Sequence, residues 1–169
     1  MNSKSAIPPL EIMLIYITRR CNLTCPHCFV PTISIKNKEE DKDEVSFNEL
    51  TKAIIEASSL GLKYVKITGG EPFVRKDLVL KVTKFCAEQN IFVSYDTNAT
   101  LLDEQDIKTI AKLGNVKRVA VSLDYSSPIK FDTFRGLNGA YNKVINNIKL
   151  FKTYGIDVLI MASIYEDNL

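Results

Sequence analysis

Five short runs of apolar and β-branched residues recur along the chain, at residues 11–18, 64–68, 91–95, 118–123 and 157–163. Each is nearly continuous in apolar character, the pattern of strands covered on both faces of a parallel sheet. Between them the apolar positions shift to helical spacing. The first helix carries its own boundary signals: Ser46 as N-cap, Glu49 completing a capping box, Val45 and Leu50 as the flanking staple, and Gly61 as the stop. Further helices are expected over residues 77–89, 103–113 and 140–154, with Gly114 and Gly155 ending the last two.

Strand and helix in strict alternation imply right-handed βαβ units, hence an α/β fold with a parallel sheet. Strand starts at 64, 91 and 118 are evenly spaced, whereas the first and last intervals are longer. The extra length lies at residues 30–44 and 124–139, and the mixed-charge run 36–44 reads as a solvated loop.

Composition narrows the class without naming it. A chain of 169 residues, 46% apolar and 25% charged, fits one globular domain with a real core. A net charge of +2 gives no reason to expect nucleic acid or an anionic membrane surface as partner. No apolar run is long enough for a membrane span, and Pro8 and Pro9 fall where a secretory signal needs its apolar core. Cys21, Cys25 and Cys28 are crowded together and Cys86 lies in a helical pattern, so reduced thiols in the cytoplasm are expected rather than disulfides.

The polar motifs all follow strands. Cys21, Cys25 and Cys28 come after the first, Gly69-Gly70-Glu71-Pro72 after the second, Thr97-Asn98 after the third, and Ser122 with Asp124 at the end of the fourth. Strand ends of a parallel sheet share one rim, where the βα loops build sites. Three thiolates at spacings of four and three can hold three irons of a [4Fe–4S] cube, leaving the fourth iron open to a small molecule. His27 makes a Cys3His zinc site a competing reading, although structural zinc usually draws ligands from two separated segments. Cys86 shares a helical face with Val79 and Val82 and reads as a small buried hydrophobe.

Together these residues resemble the radical S-adenosylmethionine superfamily. The resemblance rests on CxxxCxxC after the first strand with His27 in the usually aromatic slot. It also rests on Gly69-Gly70-Glu71-Pro72, on Thr97-Asn98, and on Ser122 followed by Arg135-Gly136. It covers about residues 10–165 and is nearest the branch of molybdenum-cofactor, haem-modifying and peptide-maturing enzymes. It implies a partial parallel (β/α) barrel, truncated here after about five strands. It further implies a [4Fe–4S] cluster on Cys21, Cys25 and Cys28 and S-adenosylmethionine as cosubstrate. In such a site Gly69, Gly70 and Glu71 lie near the methionine amino group, and Asn98 and Ser122 near the ribose or carboxylate. Arg135 would pair with that carboxylate, and His27 and Phe29 would lie against the adenine.

A reductant such as a ferredoxin or flavodoxin would supply the electron, and a 5′-deoxyadenosyl radical would abstract hydrogen from a substrate the sequence does not specify. The pattern departs from the family after the fifth strand, where a sixth strand and any auxiliary-cluster region are missing. The whole chain, 1–169, therefore reads as an incomplete core: either a fragment or shortened protein that self-associates or needs a partner chain at its open edge, or the N-terminal portion of a longer enzyme. A non-catalytic cluster-binding module is the alternative function.

Overall fold

The computed structural model describes residues 8–36 and 44–169. Most of the charged run 36–44 therefore lies outside the described residues. Five parallel strands form one sheet in the order β1 (Ile12–Tyr16), β4 (Tyr64–Thr68), β5 (Phe92–Thr97), β6 (Val116–Ser122) and β7 (Asp157–Met161). Two two-residue strands, β2 (Arg20–Cys21) and β3 (Ile33–Ser34), pair in parallel with each other beside the sheet. The crossovers are α1 (Phe47–Ser59), α2 (Lys76–Glu88), α3 (Glu104–Leu113), α4 (Pro128–Arg135) and α5 (Ala140–Thr153).

Each new strand joins the sheet on the same side of the last, so right-handed crossovers leave the helices on one face. That winding is the start of a barrel. The covered face buries Ile15, Val65, Ile67, Val93, Tyr95, Val119 and Val121 with Ile54, Val79, Val82, Ile107, Ile110, Val144 and Phe151 from the helices. Cys86 is fully buried among them, as its helical position predicts.

The opposite face corrects the expectation of strands covered on both sides. Ile12, Leu14 and Tyr16 of β1 remain 55%, 56% and 55% exposed, and Tyr64, Phe92 and Leu159 are also exposed. Their apolar character therefore does not report burial in this structure.

The predicted boundaries of α1 hold for a physical reason. Ser46 and Glu49 form the reciprocal capping box, with the Ser46 amide donating to Glu49 Oε2 at 2.8 Å. The helix missed by periodicity is α4, which lies in the long interval after β6. Its signals were local: Ser127 caps it, Pro128 opens it, and Gly136 closes it at φ +70°.

Candidate functional site

All five sheet strands end toward one rim, and their loops enclose a cavity of about 370 Å³. Its walls include Cys21, Cys25 and Cys28, His27 and Phe29, Gly69 and Gly70, Asn98, Ser122 and Arg135. Ten of the eleven sequence-selected positions thus face one space. The exception is Glu71, which lies behind the wall.

The cysteine loop is held from three sides. Ile33 donates to the Arg19 carbonyl at 2.9 Å and Ile35 to that of Cys21 at 3.1 Å, closing the loop at its base. The Gly70 amide donates to Thr18 O at 2.8 Å and the Glu71 amide to Arg20 O at 2.9 Å. A Cβ on Gly70 would meet Arg20 O at 2.5 Å, so the glycine pair lets the second loop lie directly on the backbone that leads into Cys21. The third side is Asn98, whose amide nitrogen donates to Asn22 Oδ1 at 3.0 Å inside the cysteine motif. Asn98 Oδ1 in turn accepts from the Thr100 amide and hydroxyl.

Glu71 ties the loops together from below. Oε1 accepts from the Phe73 amide at 3.1 Å and the Thr97 hydroxyl at 2.7 Å, and Oε2 accepts from the Asn98 amide at 2.8 Å. Burial pushes its carboxyl up to about 7, against the pull of these three donors.

All four cysteines are free thiols. Burial raises Cys21 to about 11, opposed by the Leu23 amide that donates to its sulfur. Burial also raises Cys25, and there the Arg135 guanidinium opposes it. Among the described residues no three Cys, His, Asp or Glu side chains converge on a single point as one metal ion requires. A cubane takes each thiolate on a different iron, so three thiols spread along one cavity wall are a donor set suited to it.

The His27 ring stacks on Phe134 at 4.7 Å and meets Tyr165 edge-on at 6.4 Å. Its buried Nδ1 has no partner among the described residues, and burial lowers its basicity. Phe29 projects from the same loop, 86% exposed. Arg135 is buried beside Asp124, paired with it through Nη2, and its Nη1 reaches Cys25 Sγ at 3.5 Å. Asp96, also on the cavity wall, pairs with Lys66 at 2.8 Å and leaves Oδ1 without a partner among the described residues. Asp96, Phe134 and Tyr165 were not singled out in the sequence; only its place at the C-terminal end of the third strand, next to Thr97-Asn98, could have marked Asp96.

A family model for the radical SAM superfamily matches residues 15–168. The chain belongs to the radical SAM superfamily. Enzymes of that superfamily use a [4Fe–4S] cluster and S-adenosylmethionine. The chain is 32% identical over 153 residues to Fe-coproporphyrin III synthase of Methanosarcina barkeri, covering 90% of this chain and 37% of that protein. It is also 32% identical over 170 residues to GTP 3′,8-cyclase of Clostridium botulinum, covering 95% of this chain and 50% of the cyclase. Among solved structures it resembles SuiB of Streptococcus suis bound to S-adenosylmethionine, with a TM-score of 0.75 and 24% identity over 95% of this chain and 36% of that one; this likeness speaks for the fold. The chain thus spans half or less of the length of these curated relatives.

Proposed function

We propose that this radical SAM chain is the cluster- and cofactor-binding core of an enzyme that modifies a cofactor precursor or a peptide. The observation that carries the proposal is the shared cavity: three free thiols from the CxxxCxxC loop face it together with Gly69, Gly70, Asn98, Ser122 and Arg135. Cys21, Cys25 and Cys28 hold the cluster as thiolates. When bound, cluster and S-adenosylmethionine together supply reductive carbon–sulfur cleavage and abstraction of a hydrogen atom from substrate.

The protein's part is position and exclusion of water. Gly69 and Gly70 bring backbone to the cavity wall, while Glu71 fixes that backbone from behind rather than from inside the cavity. Ser122 offers a hydroxyl to the ribose or carboxylate of the cofactor. Asn98, already shared with Asn22 and Thr100, acts mainly by holding the cysteine loop in register. Arg135 places a cation on the cavity wall, where a guanidinium can meet a carboxylate. His27 and Phe29 supply ring surface for the adenine. The electron comes from a reductant such as a ferredoxin or flavodoxin, and the free thiols suit a cytoplasmic setting.

A second reading keeps the same site but makes the chain a binding unit that needs further polypeptide to react. The exposed Ile12, Leu14 and Tyr16 on the open sheet face favour it. Low-temperature EPR of the anaerobically reconstituted, reduced protein tests the site: a [4Fe–4S]⁺ signal that changes shape on adding S-adenosylmethionine is expected. A cluster signal indifferent to the cofactor, or no cluster, overturns the assignment. Release of 5′-deoxyadenosine and methionine separates the enzyme core from the binding unit.

A further inference from the structure

The guanidinium of Arg135 is fixed on several sides. It ends α4, where Gly136 in the left-handed region abuts Thr24 of the cysteine loop. Its Nη2 is paired with Asp124 Oδ2, and Asp124 Oδ1 accepts the Ser163 amide at 3.0 Å. The Phe131 ring lies 5.6 Å from its Cζ. Nη1 points at Cys25 Sγ, 3.5 Å away, across 110 residues of sequence.

Arg135 and Asp124 are both 6% exposed. Burying an ion pair is seldom favourable by itself, because desolvation offsets much of the attraction. This pair, however, brings a charged donor to one cysteine sulfur. Hydrogen bonds to ligand sulfurs are among the levers that set the potential of an iron–sulfur cluster.

The geometry points to Arg135 as a positioning residue that sets the electron affinity of the cluster through Cys25, with Asp124 as its counterweight. This inference rests on the proposed function, since it needs the cluster on Cys25. A cation hydrogen-bonded to a ligand thiolate favours the reduced cluster, which carries one more negative charge. The Asp124 carboxylate beside it opposes that effect. Removing the cation therefore makes reduction harder, and removing the carboxylate makes it easier.

The test is an EPR-monitored dithionite titration of the reconstituted protein without S-adenosylmethionine, on wild type, R135Q and D124N. Iron and sulfide are measured on each sample. At matched iron content, R135Q is expected to lower the reduction equilibrium about tenfold and D124N to raise it, a shift of about 59 mV each way for one electron. A role confined to folding would change iron content or stability without shifts of opposite sign. Equal potentials, or shifts in one direction, overturn the inference. If R135Q does not fold, R135K keeps the charge and loses the planar fork. Its potential is then expected below wild type, and that of the D124N/R135Q double variant, which removes both opposing charges, about tenfold below D124N alone; R135K equal to wild type, or a double variant equal to D124N, overturns the inference. Wild-type protein that takes up no iron would overturn the proposed function instead, so the two failures are distinguishable.

Discussion

Glu71 Oε2 accepts the backbone amide of Asn98 at 2.8 Å, joining the loop after β4 to the loop after β5. The bond places a carboxylate under the site rather than in it. Asn98 then reaches Asn22, so the position of the cysteine loop depends on a residue that never faces the cavity.

Truncating that carboxylate should therefore be felt first as lost stability. Glu71→Ala leaves the Phe73 and Asn98 amides and the Thr97 hydroxyl without their acceptor in the interior. The expected cost is on the order of 3 kcal/mol, given about 1–3 kcal/mol per stranded buried group and partial relaxation. Thermal unfolding of the cluster-free protein reads it directly, as a melting temperature lower by roughly 10 °C for a domain of this size. An unchanged melting temperature would mean that Glu71 does not brace the loops.

The same group gives a pH dependence of definite sign. Burial raises Glu71 from 4.5 to about 7 in the folded chain, so between those values the folded state holds the proton and the unfolded state has lost it. Stability from this group is then fully present below about pH 4.5 and falls as pH rises through about 7, by roughly 3 kcal/mol in total. Urea unfolding of the cluster-free protein at pH 5 and pH 7.5 should show the loss, and Glu71→Gln should remove that part of the slope. Identical slopes in the two proteins would place the titration elsewhere.

Gly70→Ala should damage the site from outside the cavity. The added Cβ would lie 2.5 Å from Arg20 O and 2.7 Å from Arg19 O, both backbone atoms that cannot swing aside. Separating the two loops is expected to cost more than about 2 kcal/mol, the scale of overpacking a close contact. It should also lower iron uptake on reconstitution, because the displaced backbone runs into Cys21. Full iron content with wild-type stability would show that the loops tolerate a wider gap.

Much of this arrangement was legible because each level of the chain agreed with the next. The strand runs, the Ser46–Glu49 capping box and the motifs after each strand placed the rim correctly, since those signals are local in sequence. What escaped was nonlocal. The partnership of Glu71 with Thr97 and Asn98, and of Arg135 with Asp124 and Cys25, depends on which loops meet in space. Chain spacing does not carry that information. The open sheet face escaped for another reason: apolar strand residues look alike whether a neighbour covers them or not, and Leu14 is 56% exposed.

The cysteines offer a contrast that separates site from scaffold. Cys25 sits in the loop past β1 and β2, partly exposed and touched by Arg135, whereas Cys86 is fully buried in α2 against the sheet. Burial raises the Cys86 thiol to about 12, and Cys86 lies off the cavity that Cys21, Cys25 and Cys28 share. Cys25→Ser should therefore abolish stable cluster incorporation while leaving cluster-free unfolding within about 0.5–1 kcal/mol of wild type, the range for changes away from the core. Cys86→Ala should do the reverse, costing about 1 kcal/mol for the lost sulfur volume with full iron and sulfide content. Iron and sulfide assays with thermal unfolding on both variants decide it. Iron retained by the Cys25 variant, or lost with the Cys86 variant at intact fold, would require a different ligand set.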